Sequence, residues 1–266
     1  MDKQHSPLAV ITGASSGIGY ELAKIFAKNG YDLIVAAENI EIVDAGNELR
    51  KYGTQVKTVQ VDLTSLDGVE RLYHTIQLAD NPLSAIALNA GVGICGAFTQ
   101  TEFKRELEVI NLNITSLVYL TKLVLPHFVR SKSGKILFTS SVAADMPGPY
   151  YAVYAASKAF VQSFAEAVRE EVNDSGVTVT ALQPGATDTN FFKRAGMMNT
   201  KVGVGLKDSP TLVAQEGFNA LMAGKDHVIA GSFINKVQST LAKLMPQTQG
   251  AKMQREEVKP GSAYRH

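Results

Sequence analysis

The 266-residue chain predicts an α/β fold, a doubly wound sheet of about seven parallel strands with helices on both faces. Three observations predict it. Short runs of Val, Ile, Leu and Ala recur and read as continuous rather than alternating, the pattern of strands buried on both faces. Amphipathic stretches separate these runs, and strand alternating with helix implies right-handed βαβ crossovers. The first run empties into a glycine-rich turn that opens a helix.

Taken in order, strands are expected at 8–12, 32–37, 56–61, 85–89, 135–139, 177–183 and 227–230, and helices near 17–29, 40–52, 66–79, 102–131, 151–175, 209–223 and 233–245. No Pro/Ser/Gly-rich linker, low-complexity tract or internal repeat divides them, so residues 1–266 read as one domain. Two segments fit the alternation poorly. Residues 188–208 hold Phe191, Phe192, Met197 and Met198 among glycines and read as a lid over a pocket or as a surface excursion. Residues 246–266 are polar, with Pro246 and Pro260, and read as a peripheral tail, extended or ordered by a partner chain.

Composition narrows the function classes. Apolar residues make up 45% of the chain, enough for a sizeable core, and charged residues only 19%. Twenty-six basic against 25 acidic residues leave a net charge of +1, without the basic excess of a nucleic-acid binder. The single Cys95 excludes an internal disulfide and a cysteine-based zinc site, and the five histidines stand at no ligand spacing, so no metal is expected. The polar N-terminus carries no secretory h-region, and no apolar run reaches the roughly 18 residues of a membrane span. A soluble cytoplasmic protein is expected.

The glycine turn runs Thr12-Gly13-Ala14-Ser15-Ser16-Gly17-Ile18-Gly19. Gly13 permits a tight turn, Gly17 lets backbone approach a pyrophosphate, and Gly19 lets the helix pack close to the sheet, with the anion at the helix N-terminus. This is a dinucleotide-binding, Rossmann-type arrangement. Glu38 ends the second strand, where an acid accepts hydrogen bonds from the adenosine ribose, or is simply a solvated strand end. Residues 29–49 contain Asp32, Glu38, Glu41, Asp44 and Glu48 but no Lys or Arg. A 2′-phosphate would find no local cation there, which favours NAD over NADP unless a Lys or Arg reaches over from elsewhere.

Tyr154 and Lys158 stand at i and i+4, on one helix face. A free tyrosine has a pKa of about 10, and a close ammonium lowers it by about 1–3 units, making a usable general acid/base. The spacing alone is not specific, since Tyr20 and Lys24 repeat it; that pair, with no upstream hydroxyl, is assigned to packing or surface. A strand ending in Thr139-Ser140-Ser141 precedes Tyr154 and places its carboxyl end where open α/β sheets bind ligands.

On these motifs the chain resembles the short-chain dehydrogenase/reductase family, in its compact single-domain branch, over about residues 7–231. The family's Asn-Asn-Ala-Gly element appears as Leu88-Asn89-Ala90-Gly91, departing at its first position. Asp62 and Leu63 match its adenine-contacting turn, and Pro184-Gly185-Ala186-Thr187-Asp188-Thr189 its Pro-Gly element. Its catalytic asparagine falls on Asn113, with Asn111 a nearby competitor. At the position of Glu38, NADP-using relatives commonly carry Arg, and NAD-using ones an acid one residue earlier, where Ala37 stands.

The resemblance implies a set of roles. Tyr154 exchanges a proton with the substrate oxygen during hydride transfer at the nicotinamide. Lys158 lowers the Tyr154 pKa and holds the nicotinamide ribose. Ser141 hydrogen-bonds the reacting oxygen, and Asn113 holds a water that relays protons from Lys158. Gly13, Ser15, Ser16, Gly17, Ile18, Gly19, Glu38, Asp62, Leu63, Asn89, Ala90, Gly91, Pro184, Gly185, Thr187 and Thr189 complete the cofactor site. The substrate is a neutral or hydrophobic alcohol or carbonyl compound if Met146, Pro147, Pro149, Ile94, Cys95, Phe191, Phe192 and Met197 line its pocket. Tyr150 or Tyr151 touches substrate or packs the helix start; Lys193 and Arg194 read as a solvated face or as a site for an acidic substrate. The long helices at 102–131 and 151–175 imply a homodimer or homotetramer. A cofactor-binding scaffold without turnover is the alternative, although no catalytic member is missing.

Overall fold

The computed structural model describes residues 6–232 and 245–264. Its centre is a seven-stranded parallel sheet in the order β3-β2-β1-β4-β5-β6-β7. The strands are β1 (Leu8–Thr12), β2 (Asp32–Ala37), β3 (Val56–Gln60), β4 (Leu83–Leu88), β5 (Gly134–Thr139), β6 (Val177–Pro184) and β7 (His227–Ala230). All five residues of β1 and all six of β2 are buried, as the apolar runs Leu8–Ile11 and Leu33–Ala37 within them require. β1 pairs with β2 on one side and β4 on the other, so the order reverses beside β1. Such a reversal opens a crevice at the carboxyl ends of the strands.

Helices cover both faces. On one lie α1 (Gly17–Lys28), α2 (Glu41–Arg50) and α9 (Pro210–Met222). Leu22, Phe26, Ile42, Leu49 and Phe218 pack there against Ile11, Val35 and Leu137. On the other lie α3 (Leu66–Gln77), the α4 (Phe103–Ile110) and α5 (Ser116–Ser131) pair, and α6 (Ala152–Glu171). Leu72, Leu120, Phe128 and Val161 pack there against Val10, Ile86 and Ile136. A π-helical turn, Asn111–Thr115, joins α4 to α5 without breaking the helix. The resulting 29-residue helix is long and apolar enough, by length and composition, to cross a membrane, although no uninterrupted apolar run in the sequence suggested one. Its Leu112, Leu117, Leu120, Val124 and Phe128 are buried in the core.

A third apolar cluster lies off the sheet. The segment 188–208 forms two one-turn helices, α7 (Phe191–Arg194) and α8 (Lys201–Val204). Its stem is pinched by a bridge between Thr187 and Asp208, with Asp188 N donating to Asp208 O at 2.8 Å and Asp208 N to Ala186 O at 2.8 Å. The expected peripheral tail is instead helical, as α10 (Gln247–Val258), and its Val258 is 2% exposed. Its few apolar residues give no periodicity to read; the packing surface comes from distant parts of the chain. Gly250 lies against Met146, Tyr151 Oη donates to Gln254 Oε1 at 2.6 Å, and Lys201 N donates to Ser262 Oγ at 3.0 Å. The helix expected at 233–245 falls almost wholly on residues outside those described.

Candidate active site

A cavity of about 770 Å³ opens at the carboxyl ends of β1, β2, β4, β5 and β6. Its size is that of a small-molecule or cofactor site. One end is the glycine turn. Gly13 holds φ +68°, a left-handed conformation disfavoured for side-chain-bearing residues, and a Cβ there would stand 2.9 Å from Ala90 Cα. Gly19 does not line the cavity. It lies buried where a Cβ would strike the Gly13 carbonyl oxygen and the Asn89 amide, so it fixes α1 against β4. Ser16 caps α1 without a side-chain hydrogen bond, and the first turn carries no acid. The positive helix end and a serine hydroxyl are thus left to an anion.

The other predicted dinucleotide positions follow along this wall. Ser15, Ser16, Gly17, Ile18, Glu38, Asp62, Leu63, Asn89, Ala90, Gly91, Pro184, Gly185, Thr187 and Thr189 all line the cavity. Several are already engaged by protein. Asn89 ties three strands together: its Nδ2 donates to Thr12 O at 3.2 Å and its Oδ1 accepts from Thr139 Oγ1 at 3.2 Å. Asp62 accepts from Thr64 N at 2.8 Å and Thr64 Oγ1 at 2.9 Å, holding its own turn. Thr187 Oγ1 donates to Gly185 O at 2.9 Å, and Thr189 Oγ1 accepts from Phe191 N at 3.3 Å. Asn39 was not foreseen. Its Oδ1 is buried at the cavity wall with no protein partner among the described residues. The glycine cradle and this unmatched acceptor fit a dinucleotide.

At the opposite end α6 carries Tyr154 and Lys158, 9% and 5% exposed, both lining the cavity. Ser141, which follows β5 and caps a 3₁₀ turn, hydrogen-bonds Tyr154 and accepts from Ala143 N at 3.1 Å. Lys158 Nζ donates to Thr139 O at 2.8 Å and lies 5.8 Å from the Tyr154 ring centre. The pKa expectation for this pair needs correction. Burial pushes the Tyr154 phenol up to about 12, and the Ser141 hydrogen bond lowers it only in part. Burial also pulls Lys158 down to about 8. In the protein alone, desolvation of both groups outweighs the attraction expected to lower the Tyr154 pKa.

Asn113 sits on the π turn, 1% exposed, and does not line the cavity. Its Oδ1 accepts from Val92 N at 3.0 Å; its Nδ2 donates to Val92 O at 2.9 Å and to Ser157 Oγ at 3.0 Å. A water held by this side chain would have only the second lone pair of Oδ1. Gly91 lies between it and Lys158: a Cβ there would stand 3.2 Å from Asn113 Oδ1 and 3.3 Å from Lys158 Nζ. Tyr20 and Lys24 lie outside the cavity, with Lys24 paired to Glu21 at 3.0 Å, as their assignment to surface requires.

The roof is apolar. Phe191 of α7 lies 5.0 Å from the Tyr154 ring, and Phe192, Met197 and Met146 add to it, while Pro147, Pro149, Ile94 and Cys95 do not line the cavity. Ile94 and Cys95 instead pack against the third cluster, and burial raises the Cys95 thiol to about 11. Tyr151, 7% exposed, lines the cavity and stacks 5.8 Å from Tyr154; Tyr150 does not line it. Met253, Gln254, Glu256, Glu257 and Val258 of α10 close the cavity and bring two carboxylates to its edge, and the polar sequence of that helix carries no periodicity that signals it. Arg194 is half-exposed, as a solvated face requires. It lines the cavity, and its Nη2 stands 2.6 Å from Glu38 Oε1. The exception left open in the sequence, a basic residue reaching over to Glu38 from elsewhere, is met by a residue 156 positions away.

Comparison with known proteins agrees with this architecture. The short chain dehydrogenase family model matches residues 7–199. The uncharacterized oxidoreductase YmfI of Bacillus subtilis (strain 168) is 32% identical over 189 residues, covering 70% of this chain and 77% of that protein. The solved short-chain dehydrogenase from Sphingobium yanoikuyae in complex with NADPH superposes with a TM-score of 0.80 at 28% identity, over 93% of this chain and 99% of that one. A short chain dehydrogenase/reductase from Burkholderia phymatum in complex with NAD has a TM-score of 0.81 at 21% identity, over 98% and 99% of the two chains. With the parallel sheet, the glycine turn and the family match in agreement, the chain belongs to the short-chain dehydrogenase/reductase family.

Proposed function

We propose that this protein is a nicotinamide-dependent oxidoreductase that interconverts a secondary alcohol and a ketone, with Tyr154 as its general acid/base. One observation carries the reading. Tyr154 faces the cavity, hydrogen-bonded to Ser141 and backed by Lys158, while the same cavity is walled by the glycine turn. When bound, the nicotinamide cofactor supplies or accepts the hydride. The protein's own groups do the rest. Ser15, Ser16 and the N-terminus of α1 hold the pyrophosphate, and Lys158 holds the nicotinamide ribose. Ser141 donates to the reacting oxygen as negative charge develops on it. Tyr154 gives its phenol proton to that oxygen in the reducing direction and, as the phenolate, takes the alcohol proton in the oxidising direction. Asn113 acts from behind, fixing Val92 and, through Ser157, α6.

The NAD preference rests on Glu38 at the end of β2 and the absence of Lys and Arg from residues 29–49, with Arg194 the opposing feature. Complexes with both NADPH and NAD among the similar structures support a nicotinamide cofactor of either kind. Phe191, Phe192, Met197 and Met146 support a neutral or hydrophobic substrate, and Glu256 and Glu257 at the same cavity oppose an acidic one. Exposed Phe103 (75%) and Phe160 (39%), on α4 and α6, support a homodimer or homotetramer. A monomer by size-exclusion chromatography with light scattering would remove that last point.

The test is a panel of hydrophobic ketones and secondary alcohols, followed by the absorbance change of NADH and NADPH. The expected result is turnover of at least one pair, with oxidation gaining and reduction losing rate as pH rises, because the Tyr154 proton is consumed in one direction and stored in the other. Cofactor binding without turnover across the panel would replace the enzyme with a scaffold.

A further inference from the structure

Glu38 and Arg194 meet at the end of the cavity away from Tyr154. A dinucleotide whose pyrophosphate rests on the N-terminus of α1 places its adenosine ribose at the end of β2, which is where Glu38 stands. Among the described residues, Arg194 and Lys158 are the only basic side chains lining the cavity. Lys158 is buried at the far end with its Nζ on Thr139 O. Arg194 is half-exposed, on the lid, and its guanidinium reaches Glu38 at 2.6 Å. Beside the pair lies the unmatched Asn39 Oδ1.

We propose that Arg194 is the cofactor-discriminating residue of this protein: a 2′-phosphate subsite carried on the lid and held closed by Glu38. The proposal rests on the reading of the cavity as a nicotinamide dinucleotide site. An ion pair this exposed is weak, so it does not bar a phosphate from Arg194 by its own strength. What bars it is the Glu38 carboxylate, which stays within contact of the same guanidinium and repels a second anion there. With Glu38 in place, the neutral pair suits the two hydroxyls of an NAD ribose. Without the Glu38 charge, the repulsion is gone and the planar guanidinium fork is free to grip a phosphate bidentately. Arg194 ends α7, and Phe191 at the start of that turn lies against Tyr154. The discriminating group and the roof over the reacting centre are thus one element.

The experiment is calorimetric titration of NADH and NADPH into wild type, Glu38→Gln, Arg194→Gln and the double variant. Both side chains are half-exposed, and thermal melts check that the four proteins fold alike. Glu38→Gln is expected to tighten NADPH binding on the order of tenfold. The double variant is expected to lose most of that gain, keeping only what relief of the Glu38 repulsion supplies, with NADH affinity little changed by the added loss of Arg194. A gain undiminished in the double variant, or no gain in Glu38→Gln, overturns the assignment while leaving the dinucleotide site intact. Failure of all four proteins to bind either dinucleotide overturns the cofactor reading and this inference together. Wild type preferring NADPH over NADH overturns the NAD preference and, because Glu38 would then not be closing the subsite, this inference as well.

Discussion

Tyr154→Phe is expected to lower turnover by about 10²–10⁴-fold while leaving NADH binding within about twofold of wild type. The substitution removes one oxygen atom from a ring that is 9% exposed and keeps its packing against Tyr151 and Phe191. What is lost is the proton that the reacting oxygen must receive or give up, and the hydrogen bond to Ser141. A structural defect would weaken cofactor binding and lower the melting temperature alongside the rate; loss of a general acid/base lowers the rate alone. Steady-state kinetics and a binding titration on the same preparation separate the two. A variant with turnover within tenfold of wild type would show that the proton comes from elsewhere.

Lys158→Met is expected to abolish measurable turnover and, at neutral pH, to make the protein more stable. Burial lowers the Lys158 pKa from 10.5 to about 8, so folding forces a charge into a poorly solvated place. Replacing it by an apolar chain of similar length removes that cost. Against this stands the lost hydrogen bond to Thr139 O, leaving a net gain on the order of 2 kcal/mol. The pH dependence gives the sign. Below about pH 8 both the folded and unfolded states hold the proton, and the cost is present in full. Between about 8 and 10.5 the folded lysine is neutral while the unfolded one is still charged, so wild-type stability rises with pH relative to the variant. The gap between their melting temperatures should narrow from about pH 7 to about pH 9.5. A gap that is constant, or widens, would mean that Lys158 is charged and well compensated in the folded protein.

These two expectations locate what could be read in advance. Tyr154, Lys158 and Ser141 stand out in the sequence through local spacing, i and i+4 on a helix and the end of a strand, taken together with the family's other motifs, since Tyr20 and Lys24 repeat the spacing alone. That they meet follows from α6 packing beside β5. How they titrate was not legible. The sequence carries the charge of Lys158 but not its desolvation, and desolvation moved Tyr154 in the opposite direction. Asn113 was found by position, yet its side chain proves committed to Val92 and Ser157, a contact that only packing reveals.

The strands were legible for a similar reason. A strand buried on both faces must be apolar along most of its length, as Leu8–Ile11 of β1 and Leu33–Ala37 of β2 are, so the run itself is the signal. The C-terminal helix α10 had no such signal. Only Gly250 and Val258 of its twelve residues are buried, and a helix that covers a cavity edge need not carry an apolar stripe.

By itself, then, the sequence determined the α/β class, the parallel sheet, the glycine turn and the family, because each is written in residues close together along the chain. Only the tertiary structure decided what surrounds the adenosine end and the roof. Arg194 reaches Glu38 across 156 positions, and Tyr151 meets Gln254 across 103. Contacts at such separations leave no periodicity in either segment. They arise where the lid and α10 are brought over the carboxyl edge of the sheet, and there a segment with no base of its own acquires one.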